Sequence, residues 1–442
     1  MKLIFLFVLS FSLLAQAEDT EVLIRIPKSF VGNEVKHFIS DHFSHDYYAV
    51  GYVSKHDFNQ LPSNVQSQVQ VLEPLSWAKG LYDIESLSIR AEEKGFDSYH
   101  NYVALTALLQ KIASENSDIV SLQSAGQSVK GRELWYVILS NTPNDTNKPV
   151  TSLIANMHGD ETAGRELMLS MIEKVVDSYR AGDARTLNIV NNSRVLIMPS
   201  MNPDGFELGR RGNANNVDLN RNFDDPINGA SRNPQPETLA VVALHKKYHP
   251  NLGLNFHGGS VCFNLPWDHK SNNPITFADD AFIHDIATEY ASLNSTMYRN
   301  NEFDHGVTYG YEWYQVTGGL QDWSILYADS IHATVELSYT KWPNARDLPS
   351  IYNENEEAVF RVLEKGLFGL HLEILTQSGA QATGFEIKTS DSNRWLSDKG
   401  SNFIHRLTTD RMQEVQIKAN GKILKINVDP SIFDGQYTQI RL

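Results

Sequence analysis

The sequence predicts an α/β protein: a main domain on a central sheet, a small α/β unit ahead of it and a small all-β region behind it. Three observations carry this. Across residues 98–369 of the 442-residue chain, strand-like apolar runs alternate with helical periods. That pattern implies a mainly parallel, buried sheet. Residues 20 to 75 repeat the alternation in miniature. Beyond residue 370 only short strand-like runs remain, broken by turn residues.

Each element follows in chain order. The opening MKLIFLFVLSFSLLAQAED has a lysine, an apolar run and then Ala15-Gln16-Ala17. This is the form of a secretory signal peptide (1–17), cut after Ala17. The run is short for a membrane span and no later stretch reads as one. The mature chain is therefore expected to be secreted or periplasmic. In the N-terminal unit (18–80), EVLIRIP, YYAVGYV and QVQVLEP read as strands and VGNEVKHFISDHF as a helix. A polar linker (81–97) carries Arg90 and Lys94, two candidate cleavage points. The main domain (98–369) opens on the helix NYVALTALLQKIASEN. LWYVILS, VTSLIAN, SRVLIMP, LGLNF and HATVEL read as its strands. ETAGRELMLSMIEKVVDSYR reads as an amphipathic helix with Leu167, Met171, Val175 and Tyr179 on one face. In the last region (370–442), LHLEIL, GFEIK, EVQIKA and ILKINV read as strands.

Composition narrows the function. Hydrophobic residues make up 41% and charged residues 21%, as in ordinary globular proteins. A formal net charge of -15 argues against nucleic acid as a partner and favours cationic ligands. Cys262 is the single cysteine, so no internal disulfide can form. A secreted chain of this kind relies on its core, and on any metal it holds.

The chemistry-bearing residues sit at strand ends, where open α/β sheets place their sites. MHGDE follows VTSLIAN and offers His158 and Glu161, both zinc-ligand types, though the spacing alone is weak. LGLNFHGGS places His257 directly after another strand, the natural third ligand. HATVELSY ends a mostly apolar strand with Glu336, a carboxylate that is costly there unless paired or functional. The polar stretch MNPDGFELGRRGNANNVDLNRNFDD brings Arg210, Arg211, Asn220 and Arg221, groups suited to holding a carboxylate. EWYQVTGGLQDW supplies Tyr314 and then a Gly-Gly pair, the makings of a flexible loop that closes over a ligand.

HGDE, NPDG, DLNRNF, HGGS, WYQVTGGLQDW and ELSYTKWP follow one another in the order and spacing of the zinc metallocarboxypeptidases. The sequence most resembles the subfamily of carboxypeptidases N, E, D and M, over about residues 98 to 370. The resemblance implies a mixed eight-stranded sheet flanked by helices, the carboxypeptidase fold. It implies one Zn2+ per chain, held by His158, Glu161 and His257. It makes Glu336 the general base and Arg211, rather than Arg210, the donor to the scissile carbonyl. Asn220, Arg221 and Tyr314 would hold the substrate's terminal carboxylate, and Asp218 would orient His158. Asp268, eleven residues after His257, would line a pocket for Lys or Arg, with Gln321 matching the same subfamily. The C-terminal region resembles a transthyretin-like domain, with Thr-Asp at its usual Pro-Gly turn. The N-terminal unit resembles inhibitory pro-segments, which this subfamily usually lacks.

The partners implied are peptide or protein C-termini, met by a monomer. Two other readings stand beside this one. A cell-wall peptidase would use Asp268 against the amino group of a diamino acid in muropeptides. A non-catalytic peptide-binding relative would keep the fold and lose a ligand or the base, and here every expected residue is present.

Overall fold

The structure is a computed structural model. It describes residues 22–27, 40–44, 48–53, 61–66, 70–74, 98–269, 279–392 and 394–442. The expected signal peptide and the linker with Arg90 and Lys94 lie outside the described residues. The chain falls into two compact units, Met1–Ser86 and Leu87–Leu442.

In the first unit, strands β1 (Val22–Pro27), β2 (Ser40–Ser44), β3 (Tyr48–Val53) and β4 (Gln70–Pro74) form one antiparallel sheet in the order β2-β3-β1-β4. A one-turn helix, Ser63–Gln66, precedes β4. Residues 40–43 correct the sequence reading, which continued a helix through them. They pair instead with β3, Phe43 opposite Val50. A strand partner supplies backbone hydrogen bonds that a short helical period cannot outweigh.

The second unit is built on eight strands: β5 (Val120–Gln127), β6 (Glu133–Leu139), β7 (Val150–Ala155), β8 (Arg194–Met198), β9 (Leu252–His257), β10 (Val261–Leu265), β11 (Val307–Tyr309) and β12 (Ile331–Leu337). Their order is β11-β10-β12-β9-β7-β8-β6-β5. Four neighbouring pairs run parallel and three antiparallel. The sheet is thus mixed, as the family resemblance implies, and less parallel than alternation alone suggested. The four central strands β7, β8, β9 and β12 are buried at every position. That is why they read as continuous apolar runs rather than alternating ones.

Helices cover both faces. On one side Leu167, Met171 and Val175 of the helix Ala163–Arg180 join Ile283, Ile286, Val359 and Leu363 in a single core. On the other, Val241 and Leu244 of Pro236–Tyr248 meet Leu320 and Trp323 of Leu320–Ala328. Adjacent residues of β7 divide between them: Leu153 faces the first core and Ile154 the second. The chain leaves β7 for β8 on one side, and β9 returns on the other. The carboxyl ends of β7 and β9 are therefore neighbours at a switch in strand order, the place where such sheets open a crevice.

Residues beyond 367 form strands β13 (Phe368–Leu375), β14 (Glu386–Lys388), β15 (Leu396–Ser397), β16 (Phe403–Arg406), β17 (Gln413–Ala419), β18 (Lys422–Val428), β19 (Ser431–Ile432) and β20 (Thr438–Arg441). One sheet gathers β16, β19 and β20 around β13, and the other runs β15-β14-β17-β18. Leu370, Leu372 and Ile374 of the first sheet share a core with Ile387, Val415 and Ile417 of the second. Among the described residues no helix is long and apolar enough to cross a membrane.

Candidate active site

The loop after β7 carries the first two donors. Asn156 has φ of 56°, a left-handed turn that ends the strand. Its side-chain amide donates to the carbonyl oxygens of His158 (2.9 Å), Gly159 (3.2 Å) and Glu161 (3.2 Å). One side chain thus fixes the main chain on which both donors ride. β9 ends on His257, and parallel pairing sets Glu336 of β12 beside it. Glu336 is 4% exposed. Its neighbour on the other side is Cys262 of β10. Burial first, and then the Glu336 carboxylate, push the Cys262 thiol far up, so the single cysteine is a neutral packing group.

Three donor side chains converge. His158 Nδ1 lies 2.9 Å from Glu161 Oε1, and His257 Nδ1 lies 2.7 Å from Glu161 Oε2. The two imidazole Nδ1 atoms are 3.0 Å apart. All three residues are buried, and their ligand atoms lie within 4.8 Å of one another. Lone pairs of two imidazoles and a carboxylate aimed at one point repel unless a cation sits among them. The set fits zinc by type, and three protein ligands leave the fourth tetrahedral position open.

Supporting groups surround the triplet. His158 Nε2 bonds Asp218 Oδ1 at 3.1 Å, the carboxylate contact that fixes an imidazole's tautomer. Arg211 donates from Nε to Asp218 Oδ2 and from Nη1 to Glu161 Oε1, both at 3.0 Å. Lys341, 2% exposed, holds Nζ 3.4 Å from the same Glu161 oxygen. Burial opposes the Glu161 charge, but His158, His257 and Lys341 together hold its carboxyl well below the usual range. Burial likewise opposes Asp218, and Arg211, His158 and Arg221 outweigh it.

Asp218 also caps the 3-10 turn Leu219–Arg221, accepting from Asn220 N at 2.9 Å. That turn presents Asn220 and Arg221, the latter exposed. Asn220 Oδ1 accepts from Leu320 N at 3.0 Å. The Gly-Gly pair packs here: a Cβ on Gly318, whose φ is 72°, would lie 2.7 Å from the Arg221 carbonyl oxygen. These glycines give close approach of two main chains, where the sequence suggested a mobile hinge. Tyr314 is half-buried and meets Trp313 edge-on at 4.8 Å. Its segment is tied to the neighbouring loop through Tyr311 N to Trp267 O and Val316 N to Asp268 O, each 2.9 Å.

Asp268 follows β10 and is 3% exposed. Its Oδ1 accepts from Asn264 (3.0 Å) and Gln321 (3.1 Å). A Cβ on Gly310 would lie 1.7 Å from that oxygen, so only glycine fits there. Asp322 stands behind, accepting from the Asp268 and His269 amides and pairing with His269 Nδ1 at 2.5 Å. Burial, and then the Asp322 charge, push the Asp268 carboxyl well above its usual range.

Asn156 and Lys341 were missed by sequence reasoning. Asn156 gave one signal, a polar residue closing an apolar strand. Lys341 lies in ELSYTKWP but looks like any surface lysine until its burial is known.

Fold and site together define a metalloenzyme with a buried metal corner at the switch in strand order. The chain belongs to the zinc carboxypeptidase family, which matches residues 105–358. It is 36% identical to carboxypeptidase M of Mus musculus over 317 residues, 66% of this chain and 71% of that protein. It is 30% identical to the carboxypeptidase N catalytic chain of Rattus norvegicus over 384 residues, 75% of this chain and 84% of that one. Carboxypeptidase D of Anas platyrhynchos is 31% identical over 81% of this chain, but the match spans 27% of that longer protein. Among solved structures, carboxypeptidase A from Helicoverpa armigera superposes with a TM-score of 0.63 at 19% identity, over 79% of this chain and 98% of that one. That likeness establishes the carboxypeptidase fold. The protein is a metallocarboxypeptidase, and zinc is its family's metal.

Proposed function

We propose that the protein removes C-terminal Lys or Arg from peptides and proteins. The supporting observation is Asp268: a buried carboxylate held by Asn264 and Gln321, in a chain that carries a complete zinc triplet. His158, Glu161 and His257 would hold the zinc, which when bound polarises a carbonyl and lowers the pKa of water. Asn220, Arg221 and Tyr314 bind the substrate's terminal carboxylate. An internal peptide bond lacks that charge, which restricts cleavage to the chain end. Arg211 donates hydrogen bonds to the carbonyl oxygen as negative charge grows there. Glu336 takes a proton from the attacking water and passes it to the leaving amine nitrogen. Asp268 pairs with the cationic side chain of the departing residue.

The same reading assigns residues 1–17 to an export signal cut after Ala17, and residues 370–442 to a transthyretin-like domain without catalysis of its own. Residues 18–80 are a pro-segment-like unit. The test is turnover of matched peptides ending in Lys, Arg, Phe or Glu, with and without a zinc chelator, before and after mild trypsin. Chelator-sensitive release of Lys and Arg alone supports the zinc site and the Asp268 pocket together. Preference for Phe or Glu removes the Asp268 role and leaves the zinc chemistry standing. A trypsin requirement marks the N-terminal unit as inhibitory. Activity on muropeptides but on none of the four peptides transfers the Asp268 pocket to a diamino acid.

A further inference from the structure

The chain is acidic, with a formal net charge of -15. A cavity of about 500 Å3 between the eight-stranded domain and the C-terminal sandwich has the opposite character. Lys148, Arg194 and Lys247 line it from one side, and Lys399 and Arg406 from the other. Its acidic wall residues, Asp329 and Asp398, are already engaged. Asp329 pairs with Arg394, and Asp398 accepts from the Gly384 and Gly400 amides. Arg406 pairs with Asp279.

The other four cations have no carboxylate at ion-pair distance among the described residues. Lys148 reaches Asn141 Oδ1 (2.6 Å) and Ser140 Oγ (3.3 Å), Lys399 the Ala328 carbonyl (3.1 Å), and Arg194 the Lys148 carbonyl (3.3 Å). Arg194 and Lys247 flank one ring, 5.8 and 4.8 Å from the centroid of Tyr248. Burial pulls both Lys148 and Arg194 below their ordinary range, so each holds its charge against desolvation. Arg194 Nε and Asn402 Nδ2 are buried donors with no partner. Arg194 is 5% exposed and Asn402 4%, and both line the cavity.

We propose that this interdomain cavity binds a compact oxyanion of the phosphate or sulfate class. A guanidinium and three ammonium groups exceed what one carboxylate neutralises, and they match a tetrahedral dianion with several acceptor oxygens. The ligand is either a free inorganic ion or the terminal group of a phosphomonoester. It bridges two domains, so its binding also ties the sandwich to the sheet.

The test is calorimetric titration of the full chain in low-salt buffer free of both anions. Orthophosphate, sulfate and a sugar phosphomonoester are the probes. One site is expected, weakening as sodium chloride rises. The double variant K247Q/K399Q should bind roughly tenfold or more weakly per charge removed, with peptide turnover unchanged. Both lysines are exposed, so the variant keeps its fold. Arg194→Gln should weaken binding as well, with the same circular dichroism spectrum. Binding by the inorganic ions alone identifies a free ion as the ligand, and binding by all three probes identifies a terminal group. No binding, or binding retained in full by the double variant, overturns the proposal. The second result would place the anion elsewhere, at Arg211 or Arg221 for example.

Discussion

Two buried carboxylates a few strands apart are treated in opposite ways. Glu161 stands among His158, His257, Arg211 and Lys341, and its carboxyl is held well below the ordinary range. Asp268 stands before Asp322, with neutral amides as its nearest donors, and its carboxyl is held well above. The first environment keeps a negative charge permanently in place, ready for a metal that stays. The second makes a charge expensive until a cation arrives to offset it. Under the proposed specificity, an arriving lysine or arginine offsets that cost and an apolar side chain does not.

The contrast can be broken most directly at Glu161. Glu161→Gln removes a ligand, and zinc affinity should fall by more than the roughly 10–100-fold that loss of a supporting residue costs. Metal analysis after dialysis reads this, and one zinc per chain in the variant would exclude Glu161 from the ligand set. At the other carboxylate, Asp268→Asn should lower kcat/KM for C-terminal Lys by about 10²–10³. This corresponds to about 3–4 kcal/mol, within the range for breaking a buried ion pair. Peptides ending in apolar residues should be unaffected or improved, and an equal loss on both would mean that the residue is only structural.

A smaller effect is expected at Asn156, which serves the metal corner without touching it. Asn156→Ala strips three carbonyls of their donor and should weaken zinc binding about 10–100-fold, the range of supporting residues. Excess zinc should restore most of the activity, and a loss that zinc cannot restore would point to misfolding instead. The smallest effect is on stability. Because the folded state raises the Asp268 value, its stabilising contribution is complete below the unfolded carboxylate range. It is lost as pH rises through the folded value. Asn mimics the protonated form, so Asp268→Asn should gain in melting temperature relative to wild type at pH 8 and lose that gain near pH 4. Equal shifts at both pH values would show that the Asp268 charge carries no burial penalty.

Much of the metal corner was legible because its chemistry is local. His158, Glu161 and His257 are ligand types placed just beyond apolar strands, and a sequence displays both facts. The mixed character of the sheet was not legible from alternation. β10 and β11 are short, and only the pairing of β10 with β12 and of β11 with β10 reveals their directions. The polar stretch from Met201 displays no helical pattern, yet it contains the helix Pro203–Leu208, capped by Asn202 and opened by a proline. Its two large apolar residues, Phe206 and Leu208, are too few to show a period. The basic cavity was beyond reach for another reason: Arg194, Lys247 and Lys399 are scattered along the chain and meet only once the sandwich has folded against the sheet.

The turn Leu219–Arg221 has a consequence of its own. Asp218, at its start, supports a metal-binding histidine, and Asn220 and Arg221, within it, are the residues proposed to hold the substrate's end. Two working points of the cleft are thereby spaced by two peptide units of a capped 3-10 turn. On the proposed function that turn acts as a ruler. It measures from the terminus of a bound peptide back to the bond under attack, and its gauge is main-chain geometry rather than side-chain reach. Inserting one residue between Asp218 and Asn220 would shift the scale without removing any functional group. The chain would keep its zinc and lose its aim.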